Sequence, residues 1–123
     1  MDPPSHTVLV VDDDRSIRFL CRVNLEFEGW TVREAGTLAE ARRELEDRGI
    51  GIVLLDLHVG SERGLEFLAE LRRDHPALPV ALLTGSVDTM STTDAGADAV
   101  IAKPFTLDKL VETVRALAPR NAG

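Results

Sequence analysis

Ile50-Gly51-Ile52-Val53-Leu54-Leu55-Asp56 is the stretch on which the fold turns. Six uncharged residues, mostly branched aliphatics, end abruptly in a carboxylate. So short an apolar run between polar flanks predicts a strand over Ile50–Leu55, and the lack of polar alternation predicts that both its faces are buried. Strands covered on both faces belong to parallel sheets with helices above and below. An acid directly after such a strand stands at the carboxyl edge, where open α/β sheets bind their ligands.

The pattern repeats in both directions from this strand. Upstream, Thr7–Val11 is a second aliphatic run, and it stops at Asp12, Asp13 and Asp14. Ile17, Leu20, Cys21 and Leu25 recur at helical spacing, with Asp14 as the cap and Gly29 as the left-handed stop. Trp30–Ala35 reads as a strand. Thr37 and Glu40 form a capping box for a helix with Leu38, Ala41 and Leu45 on its apolar stripe, closed by Gly49. Downstream, a polar loop leads to a helix marked by Leu65, Leu68 and Leu71, which cannot pass Pro76. Pro79–Leu83 and Asp98–Ala102 are the last two strands. Thr106 then caps a helix striped by Leu107, Leu110, Val111, Val114 and Leu117. Five strands alternating with helices predict a doubly wound α/β fold, (βα)5, with helices on both faces.

A length of 123 residues allows one such domain, predicted over residues 7–118 with tails at 1–6 and 119–123, and no room for an output module. Apolar residues at 44% and charged residues at 28% are the balance of a chain that folds alone. Subtracting 21 acidic from 14 basic side chains gives a net charge of -7, which disfavours direct binding to nucleic acid or an anionic membrane. The single cysteine, Cys21, lies on an apolar stripe and reads as packing. Without a span-length apolar run or a signal-peptide pattern, the expected compartment is the cytoplasm.

The strand ends gather the chemistry. Asp12 and Asp13 follow the first strand, Asp56 the third, Thr84 the fourth and Lys103 the fifth. Crowded acids raise one another's pKa values unless a cation neutralises them. All-oxygen donors without zinc-type His/Cys spacing favour Mg2+. Magnesium commonly completes its shell with a phosphate oxygen, and Lys103 and Thr84 can each serve such an oxygen. One carboxylate is then free to act as the nucleophile that forms an aspartyl phosphate.

Val10-Val11-Asp12-Asp13-Asp14, Leu54-Leu55-Asp56-Leu57 with Gly64-Leu65, Leu83-Thr84-Gly85, and Ala95-Gly96-Ala97-Asp98 running to Lys103-Pro104-Phe105 together resemble the receiver domain of bacterial response regulators. The likeness covers about residues 7 to 118 and implies a flavodoxin-like fold. It implies Asp56 as phosphoacceptor, with a sensor histidine kinase or phosphotransfer protein as donor. Asp13 would bind Mg2+ directly, Asp12 mainly through water, and His58 through its backbone carbonyl. Thr84 would be the switch hydroxyl, Lys103 the phosphate-binding lysine, and the bond to Pro104 a cis peptide aiming Lys103 into the site. His58 and Ser86 fall at positions that tune phosphoryl lifetime.

Three departures shape the expectations. Val59-Gly60 replaces the usual Met-Pro, which predicts a looser loop. Val100 replaces the usual aromatic, so output is expected from backbone movement around Thr84 to Ser86 rather than from a ring swing. Residues 84 to 96 are about three residues short, and Ser86–Ala95 is rich in Ser, Thr and Asp, which predicts a short or frayed fourth helix unless packing holds it. Phe19, Val23 and Phe27 form a row on the first helix that either docks the phosphodonor or packs against the last helix. An unidentified downstream protein would read the signal, with homodimerisation left open. The alternative is a receiver-like docking module that works without phosphorylation.

Overall fold

The aliphatic runs pair as parallel strands in the computed structural model, which describes residues 6–47, 49–60, 62–85 and 96–118. In chain order the elements are β1 (Thr7–Val11), α1 (Arg15–Phe27), β2 (Thr31–Ala35), α2 (Leu38–Asp47), β3 (Ile52–Asp56), β4 (His58–Val59), β5 (Glu62–Arg63), α3 (Gly64–Asp74), β6 (Val80–Thr84), β7 (Ala99–Ala102) and α4 (Leu107–Leu117). The main sheet runs β2-β1-β3-β6-β7 with every neighbour parallel. The chain winds outward from β1 to β2, then returns to β3 on the other side of β1. That reversal leaves a crevice between β1 and β3 at their carboxyl ends.

Alternate strand residues feed two cores. Leu9, Val11, Val53, Leu55, Val80 and Leu82 pack with α2 and α3, while Val8, Val10, Ile52, Leu54, Ala81 and Leu83 pack with α1 and α4. The uninterrupted apolar character of β3 therefore reflects burial on both faces, as its sequence predicts.

Helix ends follow local chemistry. The Asp14 carboxylate accepts from the Ser16 and Ile17 amides at 2.9 and 3.4 Å, and so caps α1. Gly29, at φ 95°, ends that helix while the Trp30 N–H turns back to the Leu25 carbonyl. This is why β2 starts at Thr31 rather than Trp30. Thr37 Oγ1 accepts from the Glu40 N–H at 3.1 Å, but the Glu40 carboxylate reaches past Thr37 to the Gly36 N–H at 2.8 Å. Thr106 caps α4 through the Lys109 N–H. Asp98 stays outside β7 because its carboxylate binds Arg72 at 2.6 Å and the Val80 N–H at 2.8 Å.

Several expectations need correction. The polar loop after Asp56 carries a two-residue antiparallel pairing, β4 with β5, turned by Gly60 at φ 65° and with Val59 buried. Leu20 and Leu107 leave their stripes and are 40% and 39% exposed, because Ile17, Cys21 and Leu25 form the seam of α1 and Leu110 and Val114 that of α4. Residues 86–95, on which the expected short or frayed fourth helix falls, lie outside the described residues.

Gly64 opens α3 against the end of β3. Its N–H donates to the Leu57 carbonyl at 2.6 Å, and a Cβ there would lie 2.1 Å from the Asp56 carbonyl oxygen. The obstruction is backbone, so no side-chain rotation relieves it. Gly64→Ala should cost about 1–3 kcal/mol, the usual range for overpacking, read as a lower urea midpoint at unchanged slope.

Candidate functional site

The five predicted site residues meet at the carboxyl edge, around the crevice between β1 and β3. Asp12 follows β1 and is fully buried; Asp56 ends β3 at 8% exposure; Asp13 is exposed. One carboxylate oxygen from each of the three lies within 4.8 Å of the others. From the end of β7, Lys103 Nζ donates to Asp12 Oδ2 at 2.9 Å and pairs with Asp56 Oδ1 at 3.5 Å. Thr84 ends β6, 2% exposed, and its carbonyl accepts from the Lys103 N–H at 2.7 Å. The Lys103-Pro104 peptide is cis.

Asp12 is held at four points. Its N–H donates to the Ala35 carbonyl at 3.1 Å, and its Oδ1 accepts from the Asp14 N–H at 2.9 Å. Lys103 takes Oδ2, and Arg18 Nη1 donates to its backbone carbonyl at 2.7 Å. Arg18 has no place among the residues predicted for the site. Its only signal in the sequence is a pair of arginines, Arg18 and Arg22, one turn apart on the first helix, with an acid in the neighbouring strand.

The electrostatics suit a cation. Burial, followed by the charge of Asp12, raises the Asp56 pKa above the ordinary carboxylate range, while Lys103 and the His58 backbone N–H pull it down. Burial works against the Lys103 ammonium, but its hydrogen bond to Asp12 and the charges of Asp12 and Asp56 outweigh burial and raise its pKa. Beneath the site, burial and then the charge of Asp12 push the Cys21 thiol up to about 12, which fits inert packing. Three hard oxygen donors at this spacing fit Mg2+. The His58 side chain is exposed and Val100 half-buried, whereas Ser86 lies outside the described residues.

The family model for the response regulator receiver domain matches residues 8–115. The chain belongs to this family. It is 37% identical over 94% of its length to a probable transcriptional regulatory protein, TcrX, of Mycobacterium tuberculosis, and covers 50% of that protein. It thus spans about half the length of the curated relatives it matches. Among solved structures it resembles the receiver domain of NtrX from Brucella abortus, with TM-score 0.85 and 33% identity over 89% of this chain and 96% of that one. A CheY-like receiver domain protein from Methanospirillum hungatei gives TM-score 0.83 and 30% identity over 89% of this chain and 90% of that one. Receiver domains are the phosphoacceptor switches of two-component signalling and generally bind Mg2+ at an acidic pocket. Among the described residues no helix is long and apolar enough to cross a membrane.

The raised Asp56 pKa has a sign that stability measurements can read. A carboxyl that holds its proton more tightly when folded opposes folding once ionised; the penalty is absent below the unfolded pKa and complete above the folded one. Asp56→Asn should raise the urea midpoint at pH 7, and its advantage should vanish as pH falls below about 4. Mg2+ should stabilise the parent protein more than the variant.

Proposed function

We propose that this chain is a phosphorylation-controlled switch in which Asp56 accepts a phosphoryl group from the histidine of a sensor kinase or phosphotransfer protein. On this reading residues 7–118 form the receiver and 1–6 and 119–123 its tails. The observation that carries it is Asp56 itself, an acid buried at the end of the central strand with an ammonium and two further carboxylates around it. A solvated loop acid has no need of that surrounding.

Asp12, Asp13, Asp56 and the His58 carbonyl would hold Mg2+, which supplies charge neutralisation to the phosphoryl oxygens. An Asp56 oxygen forms the new bond to phosphorus as the bond to the donor imidazole nitrogen breaks, and the imidazole takes a proton from solvent. Lys103 turns from Asp56 to a phosphoryl oxygen, and the Thr84 hydroxyl donates to another. Because Thr84 and Lys103 are joined through the backbone at 2.7 Å, movement of one is felt by the other. Val100, half-buried on β7 opposite Leu82, lacks a ring to swing, so the change would pass through the backbone around Thr84 to Ser86. His58 and Ser86 occupy the sequence positions that tune the lifetime of the phosphoryl group in this family. Output is a change in which partner the receiver surface binds.

Labelling tests the reading: with phosphohistidine or a small acyl phosphate as donor, Asp56→Asn should abolish acid-labile label, and persistent label elsewhere would refute the assignment. The apolar row on α1 carries a second expectation. Phe19, Val23 and Phe27 are 64%, 46% and 87% exposed, and although Phe27 shares a groove with Leu107 and Val111 of the last helix, the exposure of Phe19 supports phosphodonor docking. Phe19→Ala should slow transfer from a protein donor by about tenfold, roughly the 1–3 kcal/mol of a lost hydrophobic anchor, while labelling by a small acyl phosphate stays unchanged.

A further inference from the structure

We propose that Arg18 is a positioning residue for the acidic site: by holding the Asp12 carbonyl it fixes the Asp12–Asp13 peptide, and so aims both carboxylates at the cation. The inference rests on reading Asp12 and Asp13 as Mg2+ ligands.

The Arg18 guanidinium is fastened at two points. Nη1 donates to the Asp12 carbonyl at 2.7 Å and Nε to Glu34 Oε1 at 3.1 Å. Glu34 is itself fixed, because its Oε2 accepts from Arg22 Nη1 at 2.5 Å. The Arg18 side chain is only 18% exposed, so water competes poorly for these bonds. Gly36 supplies the space: a Cβ there would come within 3.1 Å of Nη1, and the Gly36 backbone is anchored by Glu40 at 2.8 Å.

A peptide unit is planar, so fixing a carbonyl fixes the direction in which the chain leaves it. The Asp12 N–H is already bound to Ala35. With Arg18 on the carbonyl, the backbone is defined on both sides of Asp12 and at the start of Asp13. The Asp12 carboxylate has Lys103 and the Asp14 N–H to orient it as well. The exposed Asp13 carboxylate takes its aim from the backbone that Arg18 holds.

Charge and position predict opposite signs. Arg18 is a cation near a metal site, so if charge were its only contribution, neutralising it would tighten Mg2+ binding. A positioning role predicts weaker binding. Partners that orient metal ligands typically contribute 10–100-fold in affinity, and a contact to one backbone carbonyl belongs at the lower end.

Mg2+ titration of the full chain by calorimetry decides between them, with Asp13→Asn as the control for the site. Arg18→Gln should weaken Mg2+ binding about tenfold, and Arg18→Lys, which keeps the charge but replaces the planar fork with a single ammonium, should fall between. Gly36→Val displaces the guanidinium without removing any charge and should weaken binding in the same direction, which keeps the test open if Arg18→Gln does not fold. Labelling by a small acyl phosphate should need more Mg2+ in these variants yet reach a near-parental rate at saturation; general structural damage would lower that maximum. Unchanged or tighter Mg2+ binding in Arg18→Gln, or in Gly36→Val where only that variant folds, overturns the inference. A parent protein that shows no saturable Mg2+ binding overturns the site reading, and this inference with it.

Discussion

The Lys103 ammonium reaches from the end of β7, over the end of β6, to carboxylates at the ends of β3 and β1. One side chain thereby closes four neighbouring strands at their carboxyl edge. Asp12 has no exposed surface, and a buried charge without a partner costs several kcal/mol, so the ammonium offsets a cost that folding would otherwise carry. Yet three carboxylates against one ammonium leave two negative charges in the crevice. A divalent cation balances that remainder. On the proposed reading, phosphorylation would exchange one carboxylate charge for about -1.5 to -2, which would give Lys103 a stronger partner than Asp56.

Much of the fold is legible because a sheet covered on both faces writes itself as short aliphatic runs. The five strands, the helices around Cys21, Ala41, Leu68 and Val114, and the caps at Asp14 and Thr106 need only local chemistry. Strand ends are less legible because competing bonds decide them. Trp30 belongs to the cap of α1, and Asp98 spends its carboxylate on Arg72 and Val80. The pairing of His58–Val59 with Glu62–Arg63 has no sequence pattern, since two residues are too few to show a period. Leu20 and Leu107 are apolar at stripe spacing, but each helix touches the sheet along a seam narrower than its apolar arc.

The candidate site is legible for a different reason. In a parallel sheet every strand delivers its last residue to the same edge, so the order of motifs along the chain is enough to gather Asp12, Asp13, Asp56, Thr84 and Lys103. Residues that support the site from elsewhere have no such signature. Arg18 lies among other polar helix positions, and only the packing of α1 against β2 reveals that it faces the Asp12 carbonyl. The close approach at Gly64 is likewise invisible until α3 is seen to start against the Asp56 backbone.

Helix α1 joins these levels. Successive residues point about 100° apart, so Ile17, Cys21 and Leu25 face the sheet while Arg18 and Arg22 turn toward β2 and Glu34. Phe19, Val23 and Phe27 turn outward. The first turn of the helix is pinned to the acidic loop twice, by the Asp14 cap and by the bond from Arg18 to Asp12. The contacts that orient Asp12 therefore also fix where Phe19 stands relative to Asp56. On the proposed reading, a protein seated on the outer row would meet Asp56 at a distance set by the same contacts that orient Asp12.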